Sequence, residues 1–144
     1  MCLFCRIAHR EAKARIVYED PDVVAFHDIH PQAPTHVLVI PRKHVASIDA
    51  AQDDDEAVLG KLLLRAGSIA RELGLQRGGY RIVINTDEDG GQSVDHLHAH
   101  LLAMPLSIAT WGIAGWIALD RRSQTRARLA AVALVAAKGE RCRL

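Results

Sequence analysis

Aromatic residues are scarce in this sequence: two Trp, two Tyr and two Phe in 144 residues, or 4%. A core built on large rings is therefore excluded, and the apolar mass falls on Ala, Val, Leu and Ile. An excess of charge of one sign is also lacking. Eighteen Lys and Arg stand against seventeen Asp and Glu, a net charge of +1 with His neutral. No basic stripe offers a track for nucleic acid, and no acidic run marks a disordered tail. Cysteine is limited to Cys2, Cys5 and Cys142, too few for a disulfide-stapled scaffold. The first residues lack the basic segment and apolar run of a secretory signal, so the cytoplasm is the expected location. There, paired cysteines serve metal or redox chemistry more often than structural bridging. A membrane-spanning run is lacking as well. Residues 101–119 carry no formal charge, but Pro105, Gly112 and Gly115 interrupt them, leaving too little for the ~20 apolar residues of a span. A buried or partner-packed segment is expected, with membrane contact by the tail as the weaker reading.

What the chain does have is clustered histidine. Three of its eight histidines alternate in Asp95-His96-Leu97-His98-Ala99-His100-Leu101-Leu102. Side chains of a strand alternate between faces. An extended segment from Asp95 to about Ala103 would therefore put His96, His98 and His100 on one face and Leu97, Ala99 and Leu101 on the other. A helix, turning about 100 degrees per residue, would scatter the three rings. A row of imidazoles that titrate near neutral pH, backed by apolar residues, suits a substrate or a metal.

Around this stretch the chain is punctuated clearly. Cys2-Leu3-Phe4-Cys5 is a C-x-x-C, readable as half a zinc site, as a redox pair or as two half-buried thiols; His44 and His96 are candidate further ligands. Ile16–Glu19 and Val23–Asp28 read as strands joined by the turn Asp20-Pro21-Asp22. His30-Pro31-Gln32-Ala33-Pro34 must be a loop. His36–Pro41 is a continuous β-branched run, expected at the centre of a sheet. Acidic Asp53–Glu56 suits the start of a helix running to about Leu73, with Val58, Leu62, Ala66, Ile69 and Leu73 on one stripe and Gly74 as its stop. Tyr80–Asn85 reads as a strand, and residues 86–91 as a loop. One helix among hairpin-like strands predicts an α+β fold with an antiparallel sheet. Leu129–Ala137 reads as an Ala-rich helix stopped at Gly139.

Assembled, these residues resemble the histidine triad (HIT) family, in the branch of small nucleotide-binding proteins that hydrolyse nucleoside phosphoramidates. The resemblance spans about Cys2 to Ala103. Its signature is His96-x-His98-x-His100 followed by two apolar residues. Supporting matches are Phe26-His27-Asp28-Ile29, Pro31-Gln32-Ala33-Pro34-Thr35-His36, Val39-Ile40-Pro41-Arg42-Lys43-His44, Asn85 and Gly90-Gly91-Gln92-Ser93-Val94. The resemblance implies an antiparallel meander sheet with a long covering helix, paired across a homodimer, and a purine nucleotide at each histidine segment. It implies His98 as the nucleophile that forms a nucleotidyl-histidine intermediate. It places His100 beside the bridging atom and phosphate oxygens, with His36 in support. Asp28 would hold the ribose hydroxyls, His27 and Ile29 would line the nucleoside pocket, and Asn85, Gln92 and Ser93 would contact phosphate and leaving group, without Mg²⁺. In some branches of the family Cys2, Cys5, His44 and His96 would form a Cys₂His₂ zinc site. A dinucleoside polyphosphate hydrolase and a zinc-stabilised nucleotide-binding module with little turnover are the alternative readings.

After Ala103 the family pattern stops. A Gly-containing turn and a Trp-Pro-Pro-Gly-like end are replaced by residues 104–144, and Trp111 does not align with the tail tryptophan. The expected organisation is a HIT domain over residues 1–103 and an atypical, helical or poorly ordered extension over 104–144. A shifted reading frame near residue 103 and a lineage-specific extension are its two possible origins.

Overall fold

The computed structural model describes residues 2–103. The tail helix and the uncharged run discussed above fall largely outside the described residues. Six main elements precede the histidine strand. They are α1 (Leu3–Ala8), β1 (Ile16–Glu19), β2 (Val23–His27), β3 (Thr35–Pro41), α2 (Glu56–Glu72) and β4 (Arg81–Ile84); β5 (Ala99–Ala103) follows. The five strands form one antiparallel sheet in the order β1-β2-β3-β5-β4. This is the expected α+β architecture. The first three strands meander, and the β4–β5 hairpin returns with β5 against β3.

Both faces of the central strands are covered, which explains why β3 reads as an uninterrupted apolar run. Val23, Ala25, Val37, Val39, Leu97, Ala99 and Leu101 pack with Leu62, Ala66, Ile69 and Ala70 of α2. On the opposite face Val24, Phe26, Leu38 and Ile40 pack with Phe4, Ile7 and Ala8 of α1. The stripe expected on α2 holds at Leu62, Ala66 and Ile69, but Leu73 is exposed. Leu73 caps the helix and lies past its last covered turn; Ala70 takes the buried position instead. Gly74 stops the helix in the left-handed region at φ +71. The Leu75 amide donates to the Ala70 carbonyl and the Gly74 amide to that of Arg71, a Schellman ending. The acids before α2 make a short 3-10 turn over Asp53–Asp55. Asp55 there is buried and accepts from Lys43 and from the Gln52 amide.

One carboxylate ties the β1–β2 turn to α2. Asp20 accepts from the amides of Asp22 and Val23, the Tyr18 hydroxyl and Arg65 Nε, all at 2.8–3.0 Å. Burial pushes its carboxyl up, but these donors outweigh burial and hold it down at about 2. Asp20→Ala strands several of those donors and is expected to cost about 2 kcal/mol. Urea unfolding at pH 7 measures this; an unchanged midpoint would show the network to be dispensable.

Candidate functional site

The histidine segment is extended as expected, but the ladder begins later than the sequence suggests. β5 starts at Ala99, opposite Val39. Continuing the register would pair Leu97 with Pro41, which has no N–H to donate. The Pro41 carbonyl instead faces His96 Nε2 at 2.9 Å, and the Leu97 amide donates to Val45 O at 2.7 Å. His96 and His98 thus lie before the strand, yet the alternation survives. Leu97, Ala99 and Leu101 are wholly buried towards α2, and the three imidazoles line the other side.

The hydrogen bonds determine which ring nitrogens carry protons, because carbonyls only accept and amides only donate. His96 donates through Nε2 to Pro41 O, so its Nδ1 presents a lone pair. His98 donates through Nδ1 to His96 O at 2.7 Å, so its Nε2 is unprotonated in the neutral ring. His36 accepts at Nδ1 from the Gln32 amide at 3.1 Å. Its Nε2–H then donates to His100 Nδ1 at 2.9 Å, with Asp28 Oδ2 at 3.4 Å. This leaves His100 with an Nε2–H that is buried and has no partner among the described residues. The rings of His98 and His100 lie 4.9 Å apart, and those of His36 and His100 5.1 Å.

Burial keeps these rings neutral. Desolvation lowers His36, His96 and His98 below the ordinary imidazole value. It draws His100 down to about 3, helped by its neighbours His98 and His36. The nearby Asp28 charge opposes the shift at His36, His98 and His100 without reversing it.

At the other end of the segment, Cys2 Sγ, Cys5 Sγ, His44 Nδ1 and His96 Nδ1 converge. Their separations run from 3.1 Å between the sulfurs to 3.8 Å between Cys2 and His44, with His44 and His96 at 3.3 Å. Bonds of about 2.3 Å to sulfur and about 2.0–2.1 Å to nitrogen place tetrahedral zinc donors about 3.3–3.8 Å apart. The pairs that include a nitrogen fit this spacing, the two sulfurs stand closer than it asks, and the His96 lone pair already points inward. Burial, with Cys2 alongside, raises the Cys5 thiol, a conflict that a bound cation relieves. Asp28, His36 and His100 also have donor atoms within 4.8 Å of one another. There the His36 proton occupies the shared position, so the group is a hydrogen-bond chain.

The remaining predicted residues differ in placement. Asp28 faces His36 and also accepts from the His30 amide at 2.8 Å. His27 ends β2 and is half-buried. Ile29 is 81% exposed, available to a ligand and not part of the core. Asn85 is half-buried and Ser93 exposed. Gln92 is already engaged: its Oε1 accepts from the Asp87 amide, and its Nε2 donates to Ala46 O and Val94 O. In this arrangement it braces the loop that carries Ser93. Sequence reasoning missed α1 and Phe4, whose ring stands edge-on to His98 at 5.2 Å. The spacing of Phe4, Ile7 and Ala8, all buried, is the helical signal that could have found them. The contributions of the Gln32 amide and the Pro41 carbonyl had no such signal.

Known proteins resemble this chain over most of the described residues. The HIT domain family model matches residues 9–105. The protein HitA of Neisseria gonorrhoeae is 44% identical over 105 residues, covering 73% of this chain and 97% of its own. A HIT family hydrolase of Legionella pneumophila superposes with a TM-score of 0.70 at 50% identity, over 72% of this chain and 92% of its own. A histidine triad protein of Clostridium difficile gives 0.69 at 42% identity, over 71% and 89%. With the domain matched over most of its described length and the alternating imidazoles in place, this chain belongs to the HIT family.

Proposed function

We propose that the protein hydrolyses nucleoside 5′-phosphoramidates through a nucleotidyl-histidine intermediate on His98. The observation that carries this reading is the bond from His98 Nδ1–H to the His96 carbonyl, which leaves Nε2 with a lone pair for phosphorus. Nε2 would form a bond to the α-phosphorus as the P–N bond breaks, and the departing amine takes up a proton from solvent, which the water of the next step returns. Water would then displace His98 from phosphorus, releasing the nucleoside monophosphate and restoring the ring. His100 Nε2–H offers a fixed donor to phosphate oxygens or the bridging atom, and His36 keeps that donor in place. Asp28 is available to the ribose hydroxyls, His27 and Ile29 to the nucleoside, and Asn85 and Ser93 to the phosphate. Gln92 serves through the loop it braces. Neutral donors suit the dispersed charge of phosphoryl transfer without Mg²⁺. The relative from Legionella pneumophila, described as a hydrolase, supports turnover over a purely binding role.

In this reading zinc is held by Cys2, Cys5, His44 and His96, and supplies structural cross-linking of the N-terminal segment. The sheet edge at β4, which has no strand partner among the described residues, suits pairing with a second copy of the chain. Among the described residues no helix is long and apolar enough to cross a membrane.

Three outcomes are expected. Wild type releases amine and nucleoside monophosphate from adenosine 5′-phosphoramidate, whereas His98→Ala retains nucleotide binding and loses turnover by at least about 10³-fold. Equal rates in the two proteins would leave a binding module, and a preference for dinucleoside polyphosphates would move the substrate class within the family. Metal analysis of reduced protein gives about one zinc per chain, and chelation lowers the thermal midpoint; metal-free protein of unchanged stability refutes the site.

The third outcome concerns pH. His36, His98 and His100 have folded-state values below that of the unfolded chain. The unfolded state therefore binds more protons below about pH 6.5, and stability, complete above that pH, declines as pH falls. The slope is at most about 1.4 kcal/mol per pH unit for each group. Nucleotidylation should reach half its maximal rate only below pH 6.5, where a solvated imidazole would be half protonated. Urea unfolding and single-turnover rates at pH 5.5 and 7.5 check both expectations.

A further inference from the structure

Between the two cysteines of the metal cluster lies Phe4, a residue the proposed reaction does not use. It is 6% exposed. Its ring meets three others edge-on: His98 at 5.2 Å and 86°, Phe26 at 5.5 Å and 73°, and His96 at 6.1 Å and 70°. The positive ring edge against a π face is the favoured aromatic geometry, worth about 0.5–1.5 kcal/mol beyond the area buried. His98 has one fixed point, its Nδ1–H bond to His96 O. A single bond of that kind leaves the tilt of the ring, which is 2% exposed, to be set by its packing. On one flank His100 stands 4.9 Å away, and Phe4 supplies a second aromatic contact. Phe4 is itself held twice, by the α1 packing with Ile7 and Ala8 and by Cys2 and Cys5 on either side of it.

We infer that Phe4 is a positioning residue for the nucleophile: as a wall against the His98 ring, it links the Cys2–Cys5–His44–His96 cluster to the reacting nitrogen. The N-terminal segment is then part of the alignment of the active site and not only a fastening for the chain end. Two routes join the cluster to Nε2. One runs through His96, whose ring joins the cluster while its carbonyl holds His98. The other runs through Phe4. The inference rests on His98 as the nucleophile, but the ring contact exists whatever the substrate.

The test compares Phe4→Leu and the unbranched Phe4→Met with Ile7→Val, which loosens the same helix within its apolar cluster. Full-length zinc-loaded protein is used throughout. Both Phe4 variants are expected to keep wild-type zinc content, and rates are read at saturating nucleotide so that a change in affinity does not enter. Their single-turnover formation of nucleotidyl-His98 should fall about ten-fold, the scale set by small misplacement of a reacting group. Solvent exchange of the His98 Nδ1 proton, followed by NMR without substrate, should speed up in both. Ile7→Val should lower the thermal midpoint and leave rate and exchange alone. Wild-type rates and exchange in the Phe4 variants would overturn the inference, as would an equal loss in Ile7→Val or a loss that follows zinc content. A wild-type protein that forms no nucleotidyl-histidine would refute the reaction. The exchange measurement would still decide the role of Phe4: faster in its variants alone supports it, and unchanged exchange overturns it.

Discussion

Leu97, Ala99 and Leu101 have no solvent exposure, and their burial against α2 determines where every histidine of the triad points. In an extended chain the residues between them must face the other way. Burying each leucine contributes on the order of 1.5–3 kcal/mol. A slip of one residue would exchange these side chains for imidazoles, which have hydrogen bonds waiting only on the opposite side. The register is therefore over-determined by packing that has no part in catalysis. The same alternation in β2 and β3 sends Val23, Ala25, Val37 and Val39 to α2 and Val24, Phe26, Leu38 and Ile40 to α1. The sheet thus separates a purely apolar core from a face where rings, thiols and carboxylate gather.

On that face the proton pattern is set by groups that do not titrate. The Pro41 carbonyl, the His96 carbonyl and the Gln32 amide each fix one imidazole. Two of them owe their place to proline. Pro41 ends the β3 ladder with its carbonyl free to accept from His96, and Pro31 and Pro34 hold the loop that aims the Gln32 amide at His36. A side-chain carboxylate in place of either carbonyl, or a titratable donor in place of the amide, would change its charge with pH. A peptide group does not, so the tautomers persist as long as the rings stay neutral. Burial ensures neutrality, and its cost appears as lost stability in acid.

Much of this was legible in the sequence because the informative patterns were short. The alternation of His96, His98 and His100 with apolar residues is complete within seven positions. The β3 run, the acidic start and Gly74 stop of α2, and the strand signals before the loop of residues 86–91 are equally local. Two features were legible only in part. The ladder begins at Ala99, because a proline on the neighbouring strand, far away in sequence, removes a donor. Leu73 fits the helical stripe, but the helix extends beyond the surface it covers. Gln92 could be assigned to a site by resemblance, but not to the carbonyls of Ala46 and Val94 that occupy its amide. The C-x-x-C pointed to His44 and His96 only as candidates, and the resemblance joined the four, since no local spacing brings Cys2 to His44, 42 positions away, or to His96, 94 positions away.

The N-terminal segment links stability to the site. A six-residue helix is far below the length at which an isolated helix holds itself. α1 therefore exists through Phe4, Ile7 and Ala8 packing on the sheet, and through whatever the two cysteines bind. Any metal affinity gained there would be folding energy, felt by the segment through Cys2 and Cys5 and by the rest of the domain through His44 and His96. Such an arrangement permits the segment to open locally while the sheet stays folded. The first consequence of opening would be felt at His98, which would lose a flank but keep its bond to His96. Ligand loss would thus reduce the alignment of the nucleophile together with the stability of the domain.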